Sequence, residues 1–236
     1  MAKKKTRKSQ KRKLIRMIIY FVLFCAALVA VVIINPFEFL GEDVGVSTTV
    51  KHKKHIETRI WIGDSRTEGL QLNAKYTDFD CFIAKGGEAY SWFSDKAIEE
   101  IGEYLDDGSA ANVIINMGVN DCADYLAGAE EDSVDKYIAD INRLIKEYPN
   151  AQFYYMSVNP VDGGYPTEYS SKGYIDKEDL NKEIERFNKR IKSKCKAEYI
   201  DCNGYLTDDG YDTYDGIHYT DKTNQKIYEF IVNYLP

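Results

Sequence analysis

The sequence predicts an α/β domain, a parallel sheet of five strands with helices on both faces, preceded by one N-terminal transmembrane helix. Three observations predict it. Five short apolar or β-branched runs recur along the chain; between them the apolar period changes from that of strands to that of helices; and an uncharged apolar stretch follows a basic block at the start. Strands that alternate with helical patterns are the signature of βαβ units and hence of a parallel sheet.

The first 16 residues carry nine Lys and Arg and no acid. Met17 to Ile34 (MIIYFVLFCAALVAVVII) then runs for 18 residues without a charge. At a helical rise of about 1.5 Å per residue it reaches about 27 Å, close to the thickness of a bilayer core. It is longer than the apolar region of a cleaved signal peptide and lacks a small-x-small site at its end, so a retained anchor is expected. Positive charge favours the cytoplasmic side, which places residues 1–16 in the cytoplasm and the rest outside it: a single-pass membrane protein with an extracytoplasmic domain. Residues 35–57 contain a Pro, scattered Gly and no sustained apolar period, and read as a linker that spans tens of ångströms when extended.

The folded domain is expected over residues 58–236. Arg59 to Ile62, Cys81 to Ala84, Val113 to Met117, Phe153 to Val158 and Tyr199 to Cys202 read as its strands. Val134, Ile138, Ile141, Ile145 and Tyr148 mark one amphipathic helix face, Leu180, Ile184, Phe187 and Ile191 a second, and Ile227, Phe230, Ile231 and Tyr234 a third.

Composition excludes some partners. Beyond residue 16 the chain holds 22 bases against 38 acids, since nine of its 31 Lys and Arg precede that point; the body therefore carries -16. Phosphate backbones would repel it, so nucleic acid is not an expected partner. Four cysteines, Cys81, Cys122, Cys195 and Cys202, lie in the outer part, where disulfides are permitted; three full pairings and four free thiols all remain open. None has Cys-x-x-Cys spacing, and no metal site is assigned.

Ligands of open α/β sheets bind beyond the carboxyl ends of the strands. The residues after the first three strands are Gly63-Asp64-Ser65, Gly86-Gly87 and Gly118-Val119-Asn120-Asp121, and the loop before the last helix holds Asp215-Gly216-Ile217-His218. Of the three histidines, His52 and His55 fall in the linker, leaving His218 for the domain. A serine hydroxyl needs an adjacent base to act as a nucleophile, and histidine suits the role because it titrates near neutral pH. Asp215, three residues earlier, can hold the other ring nitrogen and stabilise the imidazolium. Ser65 N–H, Gly87 N–H and the Asn120 side-chain amide are candidate donors to a developing oxyanion. Arg66, Asp121, Tyr90 and Trp92 are candidate substrate contacts, and Tyr165 could join the two aromatics in a sugar-stacking wall.

These four blocks, in this order, resemble the SGNH/GDSL hydrolases. The resemblance covers roughly residues 58–234. It implies a three-layer, flavodoxin-like fold, Ser65 as nucleophile, His218 as base with Asp215, and an oxyanion hole of Ser65, Gly87 and Asn120. The first block ends in Arg66-Thr67 where the family has Leu, and spacing to Tyr90 and Trp92 favours Gly87 over Gly86 as donor. Ser65 stands outside any Gly-x-Ser-x-Gly elbow, which sets the chain apart from α/β-hydrolases.

The expected chemistry is two-step acyl transfer with no metal or organic cofactor. The expected substrate is a small acyl ester, such as an O-acetyl group, on an acylated small molecule or a cell-envelope or extracellular glycan, with residues 17–34 in the lipid bilayer. Two alternatives stand beside it: an O-acyltransferase acting on a wall glycan, which would require a membrane partner to supply the acyl donor, and a lipase or lysophospholipase, which the Gly-, Tyr- and Asp-rich segments around the pocket do not favour.

Overall fold

The computed structural model describes Ile56 and residues 58–236. The predicted transmembrane segment 17–34, the basic tail, His52 and His55 lie outside the described residues. Among the described residues no helix is long and apolar enough to cross a membrane.

Five strands form one sheet: β1 (Arg59–Gly63), β2 (Asp80–Ala84), β3 (Asn112–Asn116), β4 (Gln152–Met156) and, last in the chain, Glu198–Ile200. A two-residue hairpin, β5 (Tyr165–Pro166) and β6 (Tyr174–Ile175), intervenes, so the fifth sheet strand is β7. The order is β2-β1-β3-β4-β7 and every neighbouring pair is parallel. This is the 2-1-3-4-5 order of doubly wound, flavodoxin-like sheets.

Each strand sends alternate side chains to opposite faces. Ile60, Ile62, Val113, Ile115 and Tyr155 enter one core, and Trp61, Ile114, Tyr154 and Met156 enter the other. The interiors of the middle strands are therefore apolar on both faces, and β3 is buried along its full length. On the first face lie α2 (Tyr90–Trp92), a π-helical turn at Phe93–Ala97, α3 (Ile98–Leu105), α4 (Val119–Ala127), α5 (Val134–Glu147) and α6 (Lys177–Lys194). On the second lie α1 (Ser65–Asn73), α7 (Cys202–Asp209) and α8 (Asp221–Tyr234). The three amphipathic faces expected from the sequence bury Ile138, Ile141, Leu180, Ile184, Phe187, Ile191, Ile227 and Ile231.

Strand starts and ends shift by one or two residues from expectation. Met117, Val158 and Cys202 extend the apolar runs but lie beyond the strands, buried in the loops and helix that follow. Cys81, Cys122, Cys195 and Cys202 are free thiols, which decides among the pairings left open above.

The chain leaves β1 for β2 on one side and then crosses to β3 on the other. The crevice at that reversal is where such sheets hold ligands.

Candidate active site

Ser65 is the first residue of α1, directly after β1. Asp64 caps this helix, its Oδ1 accepting from Arg66 N–H at 2.9 Å. The Asp64 side chain is buried, and that burial lifts its carboxyl to about 6 even though Arg66 pulls the other way. The hydroxyl of Ser65 thus sits at a helix N-terminus where backbone N–H groups are free of intrahelical partners.

His218 reaches Ser65 from the far end of the chain, its Nε2 3.0 Å from Ser65 Oγ. Its Nδ1 lies 2.7 Å from Asp215 Oδ2. The other oxygen, Asp215 Oδ1, accepts the backbone N–H groups of His218 at 2.8 Å and Ile217 at 2.9 Å. Burial alone would raise the Asp215 carboxyl; the His218 and Ile217 donors outweigh it and hold it at about 2. A carboxylate that stays charged near neutral pH fixes Nδ1–H as the donor and leaves Nε2 to accept the serine proton. The turn that brings Asp215 and His218 together depends on Gly216, which has φ +91° and packs against the backbone of Gly163.

Ser65, Gly87, Asn120, Asp215 and His218 line one cavity of ≈ 340 Å³, completed by Tyr165, Pro166 and Ile217. Gly87 has φ +73° and open space where a Cβ would be, while a Cβ on Gly86 would stand 2.7 Å from Glu68 Oε2. Of the two glycines, Gly87 is the one on the cavity. Asn120, in the first turn of α4, is oriented by two hydrogen bonds: its Nδ2 donates to Glu88 O at 2.7 Å, and its Oδ1 accepts from Tyr165 OH at 2.8 Å.

Of the candidate substrate contacts, Tyr165 lines the Ser65 cavity and Tyr90 and Asp121 line an adjoining one, whereas Arg66 and Trp92 are buried and line neither, which corrects the expectation for those two. The Arg66 guanidinium is buried and donates to three backbone carbonyls, Asn159 O at 2.7 Å, Ile217 O at 3.2 Å and Pro160 O at 3.3 Å. It ties the loop after β4 to the His218 loop. Asp121 points into the protein and accepts from Ser133 Oγ at 2.6 Å, Tyr137 OH at 3.0 Å and Tyr90 N at 3.1 Å. Tyr90 donates its hydroxyl to Asp140, and Trp92 lies in the core. Tyr90 and Asp121 border a second cavity of ≈ 490 Å³ that shares Gly87 with the first. Pro166 and Ile217 are cavity residues the sequence reading missed; Ile217 stood between two motif residues, where its apolar side chain was itself a signal.

The arrangement can take a proton from a serine hydroxyl, orient the base that takes it and bring candidate N–H donors into the same cavity. Residues 60–231 match the GDSL-like lipase/acylhydrolase family, and the chain belongs to that family. Its members hydrolyse esters, so the fold and the family together define the protein as an acylhydrolase-type enzyme. Among solved structures it is similar to a candidate acylhydrolase of Bacteroides fragilis NCTC 9343, with 20% identity, TM-score 0.55, and 76% of this chain and 85% of that one covered. It is likewise similar to a GDSL-like lipase of Bacteroides thetaiotaomicron VPI-5482, with 19% identity, TM-score 0.52, and 75% and 86% covered. The acetyl xylan esterase AlAXEase matches with 16% identity, TM-score 0.51, and 75% and 100% covered. At these identities the likeness is one of fold. No curated protein matches the chain.

Proposed function

We propose that this protein is a serine esterase that removes small acyl groups, O-acetyl foremost, from cell-envelope or extracellular carbohydrate while anchored in the membrane by residues 17–34. The observation that carries the reading is the contact of Ser65 Oγ with His218 Nε2 at 3.0 Å in a cavity shared with Gly87 and Asn120. In the proposed reaction Ser65 attacks the ester carbonyl as His218 takes its proton. The carbonyl oxygen gathers charge beside Ser65 N–H, Gly87 N–H and the Asn120 amide. His218 returns the proton to the leaving alcohol, and water then enters by the same route to release the acid.

Two features support a small acyl group on a larger polar carrier. The cavity measures ≈ 340 Å³, with Tyr165, Pro166 and Ile217 in its lining beside Ser65. The side chains of His218 and Asp215 are 45% and 54% exposed, so a bulky alcohol part can remain in solvent.

The test is hydrolysis of p-nitrophenyl acetate, butyrate and longer esters by the full chain in detergent and by Ser65→Ala. The expected result is acetate preference, with the variant slower by about 10⁴-fold or more. Equal rates in both would remove Ser65 from the nucleophile role. If both are inert but acyl groups move to a glycan when a donor is supplied, the transferase reading takes over. Protease digestion of intact cells tests the topology: the catalytic domain is expected to be cut from outside, and protection of the domain would refute that placement.

A further inference from the structure

The oxyanion candidate Asn120 is held in a way that its own position on α4 does not explain. Glu88 O can only accept a hydrogen bond, so the amide group facing it at 2.7 Å is Nδ2. That choice turns Oδ1 towards Tyr165, whose hydroxyl must donate at 2.8 Å. One of the two Nδ2 hydrogens is thereby used, and the other is left for a ligand in the cavity. Burial pushes the Tyr165 phenol up to about 12, so the group remains a donor at any working pH.

Tyr165 sits on a strap, residues 162–175, that folds back on itself as the β5–β6 hairpin. The start of the strap is tied to the base loop: Asp162 N and Gly163 N both donate to Gly216 O, at 2.8 and 3.1 Å. A Cβ on Gly163 would stand 2.8 Å from Gly216 Cα, so the two backbones meet without side chains between them. One short segment therefore touches the loop that carries Asp215 and His218 and also the Asn120 amide, which shares a cavity with Ser65.

We propose that Tyr165 is a positioning residue for the oxyanion site, its hydroxyl clamping Asn120 so that the free amide N–H points at the carbonyl oxygen under attack by Ser65. This rests on the serine esterase reading. A donor held by a second hydrogen bond is already oriented when charge develops, which is what makes such donors effective. Donation to Oδ1 also polarises the amide and strengthens its N–H as a donor, since chained hydrogen bonds reinforce one another.

The experiment compares kcat and KM on p-nitrophenyl acetate for the full chain, Tyr165→Phe, Asn120→Ala and the double variant, with Tm measured for each. Tyr165→Phe keeps the ring and removes only the hydroxyl. It is expected to lower kcat about 10-fold, a fraction of the 10²–10³ that loss of an oxyanion donor costs, with KM and Tm close to wild type. In the Asn120→Ala background the same change is expected to have almost no effect, because the group it positions is gone. Wild-type kcat in Tyr165→Phe, or an equal loss in both backgrounds, would overturn the proposal. If the wild-type chain hydrolyses no ester, the esterase reading fails separately, and the Asn120 side-chain amide in ¹⁵N NMR spectra decides the clamp. One Nδ2 proton that exchanges slowly in the wild type and loses that protection in Tyr165→Phe upholds it, and unchanged resonances refute it.

Discussion

Asp215 and Asp64 are carboxylates within a few residues of the reacting atoms, and the protein holds them in opposite ways. Asp215 is half exposed, yet backbone donors and His218 keep it ionised down to about pH 2. Its role is to orient the imidazole. Asp215→Asn is expected to lower kcat by about 10²- to 10⁴-fold, the upper end being the loss seen when a buried partner is replaced and the lower end allowing for solvent at this site. Stopped-flow or steady-state kinetics on p-nitrophenyl acetate measure it, and a change of less than threefold would deny Asp215 that role. Because the carboxyl titrates at about 2, any loss of activity between pH 7 and pH 4 belongs to another group.

Asp64 is the reverse case. Its pKa rises from 3.8 to about 6 on folding, so the native state binds its proton more tightly than the unfolded chain does. Stability from this group is then fully present below about pH 4 and is lost as pH rises through 6. A shift of this size corresponds to about 3 kcal/mol. Asp64→Asn keeps a capping side chain but cannot ionise. Urea unfolding from pH 4 to pH 7 is expected to show Asp64→Asn gaining on wild type by about that amount, all of it between the two pKa values. A constant difference across the range would mean that Asp64 does not titrate with folding.

At the scale of elements, the end of the sheet opposite the site is fastened by Asp80 at the start of β2. Its buried carboxylate accepts from Arg59 Nε at 2.6 Å and Nη2 at 2.8 Å, Trp61 Nε1 at 2.8 Å, Thr77 N and Oγ1 at 2.9 Å, and Tyr228 OH at 2.8 Å. One side chain thus joins β1, β2, the turn between α1 and β2, and α8. Burial alone would raise its pKa, but the donors led by Arg59 hold it well below the usual carboxylate range. Its contribution is therefore present above about pH 4 and lost as pH falls further. Asp80→Asn is expected to cost about 3 kcal/mol at pH 7, because Arg59 loses its buried counter-charge. Chemical denaturation reads the loss, and esterase activity per folded molecule should be unchanged, since the network lies at the strand starts and the cavity at the strand ends. A destabilisation below about 1 kcal/mol, the range of an exposed pair, would sink this account.

The same elements show which parts of the fold could be read from the chain. Strands β1, β3 and β4 announce themselves because central parallel strands are apolar on both faces, and the edge strands β2 and β7 by shorter apolar runs. Their ends do not, because Met117, Val158 and Cys202 are as buried as strand residues without pairing as strands. The Ser65 and Asn120 motifs stood after strand ends, and the Asp215 and His218 motif in the loop before the last helix, so all could be found by position. Arg66 and Asp121 could not be sorted from the cavity residues, since a charge beside a helix start looks the same whether it meets solvent, substrate or, as here, three carbonyls or a buried Ser–Tyr pair. The strap and its Tyr165 contact arise from pairing across 45 residues, and the Gly-Gly-Tyr-Pro segment carries no period that would reveal it.

For the whole molecule the governing quantity is charge. The body's -16 comes from 22 bases against 38 acids beyond residue 16, and part of it is gathered beside the site. Glu88, Asp95, Asp121, Asp124, Glu130 and Glu131 border the cavity that adjoins the catalytic one at Gly87, with Lys136 as the cation among the residues lining it. A field of this sign slows the approach of anionic esters and leaves neutral ones untouched. Salt shortens its reach, the Debye length falling from about 30 Å at 0.01 M to about 8 Å at 0.15 M. The expected outcome is that kcat/KM for an anionic ester, such as a succinyl ester, rises several-fold over that range of salt, while kcat/KM for the neutral acetyl ester stays level. Because screening acts on encounter and binding, kcat for both should hold steady and the change should fall in KM. If the two esters respond alike, the field of the acidic body does not reach the site. Substrate choice would then rest on the shape of the Ser65 cavity alone.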